Sequence, residues 1–300
     1  GYYCDNINGT TTPLSCPRGY YCPANSTIGT QHYCPVGTFS NLTELTRVEE
    51  CTSCLPGSYC DADGLPEPAG LCSAGFFCGG NSSSQEPANY PERYYPSYSG
   101  DTCQAVVNGN ETVAVNDACP PGHYCPVGSA SPTACPPGTN SSSPMAQNLT
   151  QCGDCMKGFY CPNYGTVVAT RLCPNGYFCP AGTANPMNND SLLCPQGHHC
   201  PQEGTWEPIP CEASTYQNSN GSASCLDCPA GYYCGIATAE PVDCPTGNFC
   251  PNASSTPLQC TPGTYQSELR QVECDECPGG YFCGSYGMTV PSDCGPGNKC

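Results

Sequence analysis

The sequence predicts a fold of small disulfide-rich repeats: an elongated rod of short two-stranded β-ribbons and loops with almost no helix. Three observations lead there. C-x5-C with glycine at the third intervening place occurs eleven times, starting at Cys16, Cys54, Cys72, Cys119, Cys155, Cys173, Cys194, Cys228, Cys244, Cys277 and Cys294. Cysteine numbers 32 in 300 residues, the density of a disulfide scaffold in an oxidising compartment. Isoleucine, leucine, valine and phenylalanine together number only 36, too few for an ordinary hydrophobic core, so crosslinks must replace it.

Each part of the motif has a physical reason. The glycine supplies a left-handed or crowded backbone position between two crosslinked cysteines. The frequent proline after the first cysteine fixes φ and removes a donor, which favours turns over long paired strands. The aromatic before the second cysteine (Tyr21, Tyr59, Tyr124, Tyr160 and Tyr233, or Phe77, Phe178, Phe249 and Phe282) is suited to cover a disulfide and stack on the next repeat. His199 and Lys299 break that rule. Gly1-Tyr2-Tyr3-Cys4 reads as the tail of a further copy, so the chain is expected to be a window on a longer array.

A second motif, C-x-x-G-T-Y/F or a close relative, opens the larger units at Cys34, Cys135, Cys211 and Cys260. After 14 or 17 positions follow the C-x2-C pairs Cys51/Cys54, Cys152/Cys155, Cys225/Cys228 and Cys274/Cys277, giving a period of 49 residues in the last units. A period of that size implies a stack in which each unit touches its neighbours. The division expected is a partial leading repeat at 1–33, a repeat at 34–78, an insertion at 79–118, a partial repeat at 119–134, an extended repeat at 135–210, a repeat at 211–259 and a truncated one at 260–300. The insertion holds a tyrosine and proline cluster with Tyr90, Tyr94, Tyr95 and Tyr98 as a possible contact loop. Beyond it, Val106-Val107 and Val113 to Val115 about Asn108-Gly109 read as a hairpin.

Ten N-x-S/T sequons, at Asn8, Asn25, Asn41, Asn81, Asn110, Asn140, Asn148, Asn189, Asn220 and Asn252, are placed between the cysteine motifs and predict N-linked glycans on a secretory product. The formal charge of −18, from 25 acidic against 7 basic residues, argues against nucleic acid and anionic membranes as partners. No apolar run reaches the ~20 residues of a membrane span. The C-x2-C pairs lack the matching pairs of a zinc ribbon, His198 and His199 read as a variant of the aromatic seat, and Asp61-Ala62-Asp63-Gly64 lacks the later ligands of a calcium loop. No nucleophile constellation occurs, so neither cofactor nor catalysis is expected.

The cysteine pattern resembles the ephrin-receptor-like cysteine-rich repeats of protist and algal surface proteins, and in style the modules of tumour-necrosis-factor receptors and EGF-like domains; residues 211–300 carry the resemblance most specifically. It implies receptor-style pairing: Cys211 to Cys225, Cys228 to Cys244 and Cys234 to Cys250, and likewise Cys260 to Cys274, Cys277 to Cys294 and Cys283 to Cys300. An antiparallel alternative, Cys228 to Cys250 and Cys234 to Cys244, has the same spacing. The expected role is an extracellular structural glycoprotein, a spacer or fibre subunit that self-associates or joins other coat proteins; the alternative is the ectodomain stalk of a receptor or adhesin.

Overall fold

The computed structural model describes residues 1–5, 12–87 and 116–295. Within them lie thirteen two-stranded antiparallel sheets, each strand two residues long, and four short 3-10 turns at Val48–Glu50, Leu149–Gln151, Pro186–Asn188 and Asp190–Leu192. No helix among the described residues is long and apolar enough to cross a membrane. The chain divides into two compact units, Gly1–Cys155 with Cys161–Ala169, and Met156–Tyr160 with Thr170–Cys300.

The local element is a closed cysteine loop. In Cys16–Cys22 the Tyr20 N–H donates to Pro17 O at 3.2 Å and Gly19 has φ +83°, which is a type II turn with glycine at its third position. That reversal brings the two cysteine Cα atoms to 5.8 Å, and they close on each other. The same closure joins Cys54–Cys60, Cys72–Cys78, Cys119–Cys125, Cys155–Cys161, Cys173–Cys179, Cys194–Cys200, Cys228–Cys234, Cys244–Cys250 and Cys277–Cys283. Neither the crossed pairing implied by the receptor resemblance nor its antiparallel alternative is formed: Cys228 pairs with Cys234, Cys244 with Cys250 and Cys277 with Cys283. Cys294 is disulfide-bonded too, whereas Cys103 and Cys300 lie outside the described residues.

The C-x-x-G-T motif turns out to be the same loop left open. Its first cysteine bridges to the first cysteine of the following C-x2-C: Cys34–Cys51, Cys135–Cys152, Cys211–Cys225 and Cys260–Cys274. The two cysteines of each C-x2-C therefore belong to different disulfides. In the seat of the missing second cysteine stand Ser40, Ser141, Gln217 and Gln266, all buried.

Consecutive loops are joined by two reciprocal backbone bonds. In the first unit the glycine-seat N–H donates to the sixth-seat carbonyl of the next loop (Gly19 to Ser40, Gly37 to Cys60, Gly57 to Cys78, Gly75 to Cys125, Gly122 to Ser141, Gly138 to Cys161) at 2.7–2.9 Å. The glycine carbonyl in turn accepts from the first cysteine of that next loop, as in Cys34 to Gly19 and Cys135 to Gly122. The second unit repeats both bonds from Gly158 to Cys179 through Gly263 to Cys283, with Ser214 (φ +80°) standing in one glycine seat. Residues 1–4 obey the same rule: Cys16 N–H donates to Gly1 O at 2.9 Å and the Gly1 amine to Cys22 O at 3.0 Å.

The structural repeat is thus one loop, not 49 residues. First cysteines at 211, 228, 244 and 260 are spaced by 17, 16 and 16 residues, and three loops make up one sequence period. The C-x5-C at Cys194 is an ordinary member of the series. The insertion does not interrupt it either, because Gly75 bonds directly to Cys125 and Cys119 to Gly75. Asn116 ties the insertion's end back, accepting from Gly79 N–H at 2.7 Å and donating to Gly80 O at 3.1 Å. The tyrosine cluster and the 106–115 hairpin lie outside the described residues.

The interior is largely sulfur. Besides cysteine and glycine, the buried apolar residues among those described are Phe39, Leu45, Phe77, Pro87, Ala146 and Pro186. Phe39 packs on the next loop's Cys54–Cys60 disulfide and Phe77 on Cys119–Cys125, so in these two loops the fifth-seat aromatic covers the disulfide that follows it.

Candidate functional site

What repeats most closely is the junction between loops. After each sixth seat the chain turns through a residue with positive φ, among them Glu44, Gly64, Asn81, Gly128, Met145, Gly165, Gly204, Gly221, Ala237, Ala253, Arg270 and Gly287. The N–H of each donates to the first-cysteine carbonyl of the preceding loop, as in Gly64 to Cys34, Gly165 to Cys135 and Gly287 to Cys260 at 2.8–2.9 Å. Its own carbonyl lies over the glycine seat two loops back: a Cβ on Gly19 would stand 2.1 Å from Gly64 O, and one on Gly176 2.3 Å from Gly221 O. The glycine serves the turn through its sign of φ and the junction through its lack of a side chain.

Ser40, Ser141, Gln217 and Gln266 were not singled out by reading cysteines alone, although superposing C-x-x-G-T-Y-Q on C-x-x-G-x-Y-C finds them. Gln266 bridges its 14-residue loop: Nε2 donates to Glu273 O at 3.1 Å and Oε1 accepts from Glu268 N–H at 2.9 Å. Gln217 does the same with Ser224 O and Ser219 N–H. In the 17-residue loops a shorter serine suffices, Ser40 bonding Leu42 and Ser141 bonding Ser143. Replacing Gln266 by alanine leaves a carbonyl and an N–H without partners inside the loop. A loss of about 1–3 kcal/mol is expected in denaturant titration with disulfides intact.

Those 17-residue loops also carry a turn capped from its far end. Glu50 accepts from Thr46 N–H at 2.7 Å, from the Thr46 hydroxyl at 2.9 Å and from Arg47 Nε at 3.3 Å. The Thr46 backbone bond, then the hydroxyl and then Arg47, hold its carboxyl down to about 2. A lowered carboxyl favours the folded turn above its ordinary value of 4.5, and that support is lost as pH falls towards 2. Gln151 holds the equivalent place, its Oε1 accepting from the Gln147 and Asn148 N–H groups without a titrating charge. Glu50→Gln is therefore expected to keep the turn and remove its acid sensitivity, read from carboxyl and amide chemical shifts between pH 5 and pH 2.

Of the sequons, Asn25, Asn41, Asn81, Asn148, Asn189, Asn220 and Asn252 are exposed, and Asn8 and Asn110 lie outside the described residues. Asn25 and Asn81 occupy positive-φ corners, a conformation asparagine tolerates better than most. In two sequons the third-position side chain already faces the asparagine: Asn148 Oδ1 accepts from the Thr150 hydroxyl at 2.5 Å, and Asn189 Oδ1 from the Ser191 hydroxyl at 2.7 Å. Asn140 departs from the expectation. It is half-buried in the Thr139–Asn140 strand, at the aromatic seat of an open loop, with Nδ2 donating to Val167 O at 3.3 Å.

Charged contacts are few. Arg270 forms a two-pronged pair with Asp243 at 2.8 and 3.1 Å, with its guanidinium 5.3 Å from the Tyr232 ring centre. Lys157 Nζ stands 4.0 Å from the ring centre of Trp206. Asp61 and Asp63 do not gather a ligand set; Asp63 instead accepts from Val36 N–H at 3.0 Å.

No protein-family model matches the chain. A stretch of 87 residues, 29% of the chain, is 31% identical to the ABC-type transporter claG of Penicillium crustosum, of which it spans 10%. The match thus covers about a tenth of that protein's length.

Proposed function

We propose that the chain is an extracellular structural glycoprotein, a stiff disulfide-stapled spacer or fibre subunit of a cell-surface coat, wall or flagellar appendage. One observation carries this reading: successive loops within each unit are joined by the same pair of backbone hydrogen bonds, so the repeated geometry serves to hold loop to loop. The disulfide density fits a secreted or extracellular setting. In this reading the exposed sequons bear N-linked glycans, the chain catalyses nothing and needs no cofactor, and its partners are further copies or other coat and matrix proteins. The kinship in style with ephrin-receptor-like repeats belongs to the same proposal, although the loops are paired differently from receptor modules.

A second reading, an ectodomain stalk, is favoured by the similarity of 87 residues to a protein described as a transporter. In it the repeats would be the extramembrane part of a membrane protein. Electron microscopy of native, unreduced material separates the two. Ordered filaments with a regular subunit are expected for the structural reading; single particles held on membrane would overturn it in favour of the stalk.

A further inference from the structure

Among the described loops, one aromatic seat holds a metal-ligating side chain directed at sulfur. His199 takes the fifth seat ahead of the open-loop disulfide Cys211–Cys225, the place held by Tyr21, Tyr124 and Phe249 ahead of the other three open-loop disulfides. Its Nδ1 lies 3.3 Å from Cys225 Sγ, and a ring nitrogen of His199 and both sulfurs fall within 4.8 Å of one another. We propose that His199, Cys211 and Cys225 form a latent site for a soft divalent cation such as Zn²⁺, opened when a dithiol reduces the Cys211–Cys225 bond.

The geometry needs little rearrangement. Zinc bonded to sulfur at about 2.3 Å and to nitrogen at about 2.0 Å in a tetrahedron places sulfur about 3.8 Å from sulfur and about 3.5 Å from nitrogen. The nitrogen contact is near that value with the disulfide intact, and the sulfurs need only separate by rather less than about 2 Å. Three protein ligands leave the fourth position for water or an exogenous ligand. Cys228, next in the chain, is held in its own loop with Cys234 and is not a fourth ligand.

Access favours this bond over the closed loops. Cys225 is half-buried, whereas Cys228, Cys234, Cys244 and Cys250 are fully buried. A thiolate of the reductant attacks Cys225 Sγ and Cys211 leaves as thiolate. The second thiol of the reductant then displaces Cys225, and the reductant departs as its cyclic disulfide. Two electrons pass to the protein; the reductant's two protons end on the cysteine thiols and are released when the cation binds. Cys51 and Cys274 are exposed to a similar degree, but Tyr21 and Phe249 stand where the imidazole would be, so Cys34–Cys51 and Cys260–Cys274 are internal controls.

The test uses the full chain, limiting dithiothreitol, zinc chloride as probe, and alkylation mapped by mass spectrometry. Zinc is expected to slow labelling of Cys211 and Cys225 by about tenfold or more while leaving Cys51 and Cys274 unaffected. His199→Tyr, which restores a side chain used at this seat elsewhere in the chain, is expected to fold normally and lose the protection. Equal labelling with and without zinc would overturn the proposal, as would undiminished protection in His199→Tyr. Opening of Cys211–Cys225 only when the closed loops also open would overturn it as well.

Discussion

Excess dithiol under native buffer conditions is expected to unfold both units. Each closure across a sequence separation of 6 removes denatured-state entropy worth about 2 kcal/mol, and those across 14 and 17 about 3 kcal/mol. Fourteen such closures join described residues. Even at half that strength their sum exceeds the roughly 5–15 kcal/mol by which folded domains are stable. Little else holds the chain, because the buried apolar residues apart from cysteine are few and two-stranded ribbons are marginal alone. Reduction should therefore abolish protease resistance and expand the hydrodynamic radius towards that of a denatured chain. Trp206, the sole tryptophan, sits beside Lys157 and reports locally on the second unit through its fluorescence. A fully reduced chain that stayed compact and resistant would mean that the backbone bonds between loops suffice without sulfur.

Alanine at a glycine seat beneath a loop carbonyl is expected to be the most damaging single substitution outside the cysteines. At Gly247, with φ +75°, an added Cβ would stand 2.3 Å from Gly287 O; at Gly122, with φ +78°, 2.3 Å from Gly165 O. The left-handed backbone alone costs an L-residue about 1–2 kcal/mol. The clash is with backbone that itself bonds the intervening loop, Gly287 N–H to Cys260 O, so it cannot be relieved by turning a side chain. A total near 3 kcal/mol or more is expected for Gly247→Ala and Gly122→Ala. Gly128 and Gly287 are the controls: both have positive φ, but an added Cβ would meet only side-chain atoms, of Leu71 at 3.5 Å and of Gln259 at 3.6 Å. Their alanine variants should show the conformational cost of about 1–2 kcal/mol and no more. Denaturant titration with disulfides intact, together with hydrogen exchange at the Gly247 and Gly287 amides, separates the two. Equal losses at all four positions would show that carbonyl stacking over the glycine contributes nothing.

The ribbon class, the scarcity of helix and the role of glycine were legible because each follows from local chemistry. P-x-G between two cysteines demands a turn, and a chain poor in aliphatic residues cannot build a larger core. Of the aromatics expected to cover disulfides, Phe77 does so, and Phe39 of an open loop does the same. Pairing was not legible from spacing, since two equal x5 intervals can be joined within themselves, crossed or nested. What decides is the type II turn, which places the cysteines of one interval 5.8–6.1 Å apart at Cα before any second loop is involved. The period of 49 misled because an open loop lacks its second cysteine, so cysteine spacing sets every third or fourth loop apart, while the turn seat, glycine in all but the Ser214 loop, marks each one. Of the candidate site residues, exposed sequon positions followed from their turn-rich surroundings, whereas Asn140 fell on a strand because the aromatic seat there holds asparagine. Ser40, Ser141, Gln217 and Gln266 are ordinary polar residues in sequence and acquire their part only from the seat they fill.

The central claim, that each C-x5-C closes on itself and the loop is the repeat, is tested most directly by non-reducing digestion and mass spectrometry. Asp243 lies between Cys234 and Cys244, and cleavage of the Val242–Asp243 bond by an endoprotease that cuts before aspartate separates two loops. Self-closed loops predict that the peptide bearing Cys228–Cys234 separates without reductant from the one bearing Cys244–Cys250. The two peptides remaining joined after cleavage, through Cys228 to Cys244 and Cys234 to Cys250 or through the nested pairs, would contradict the account.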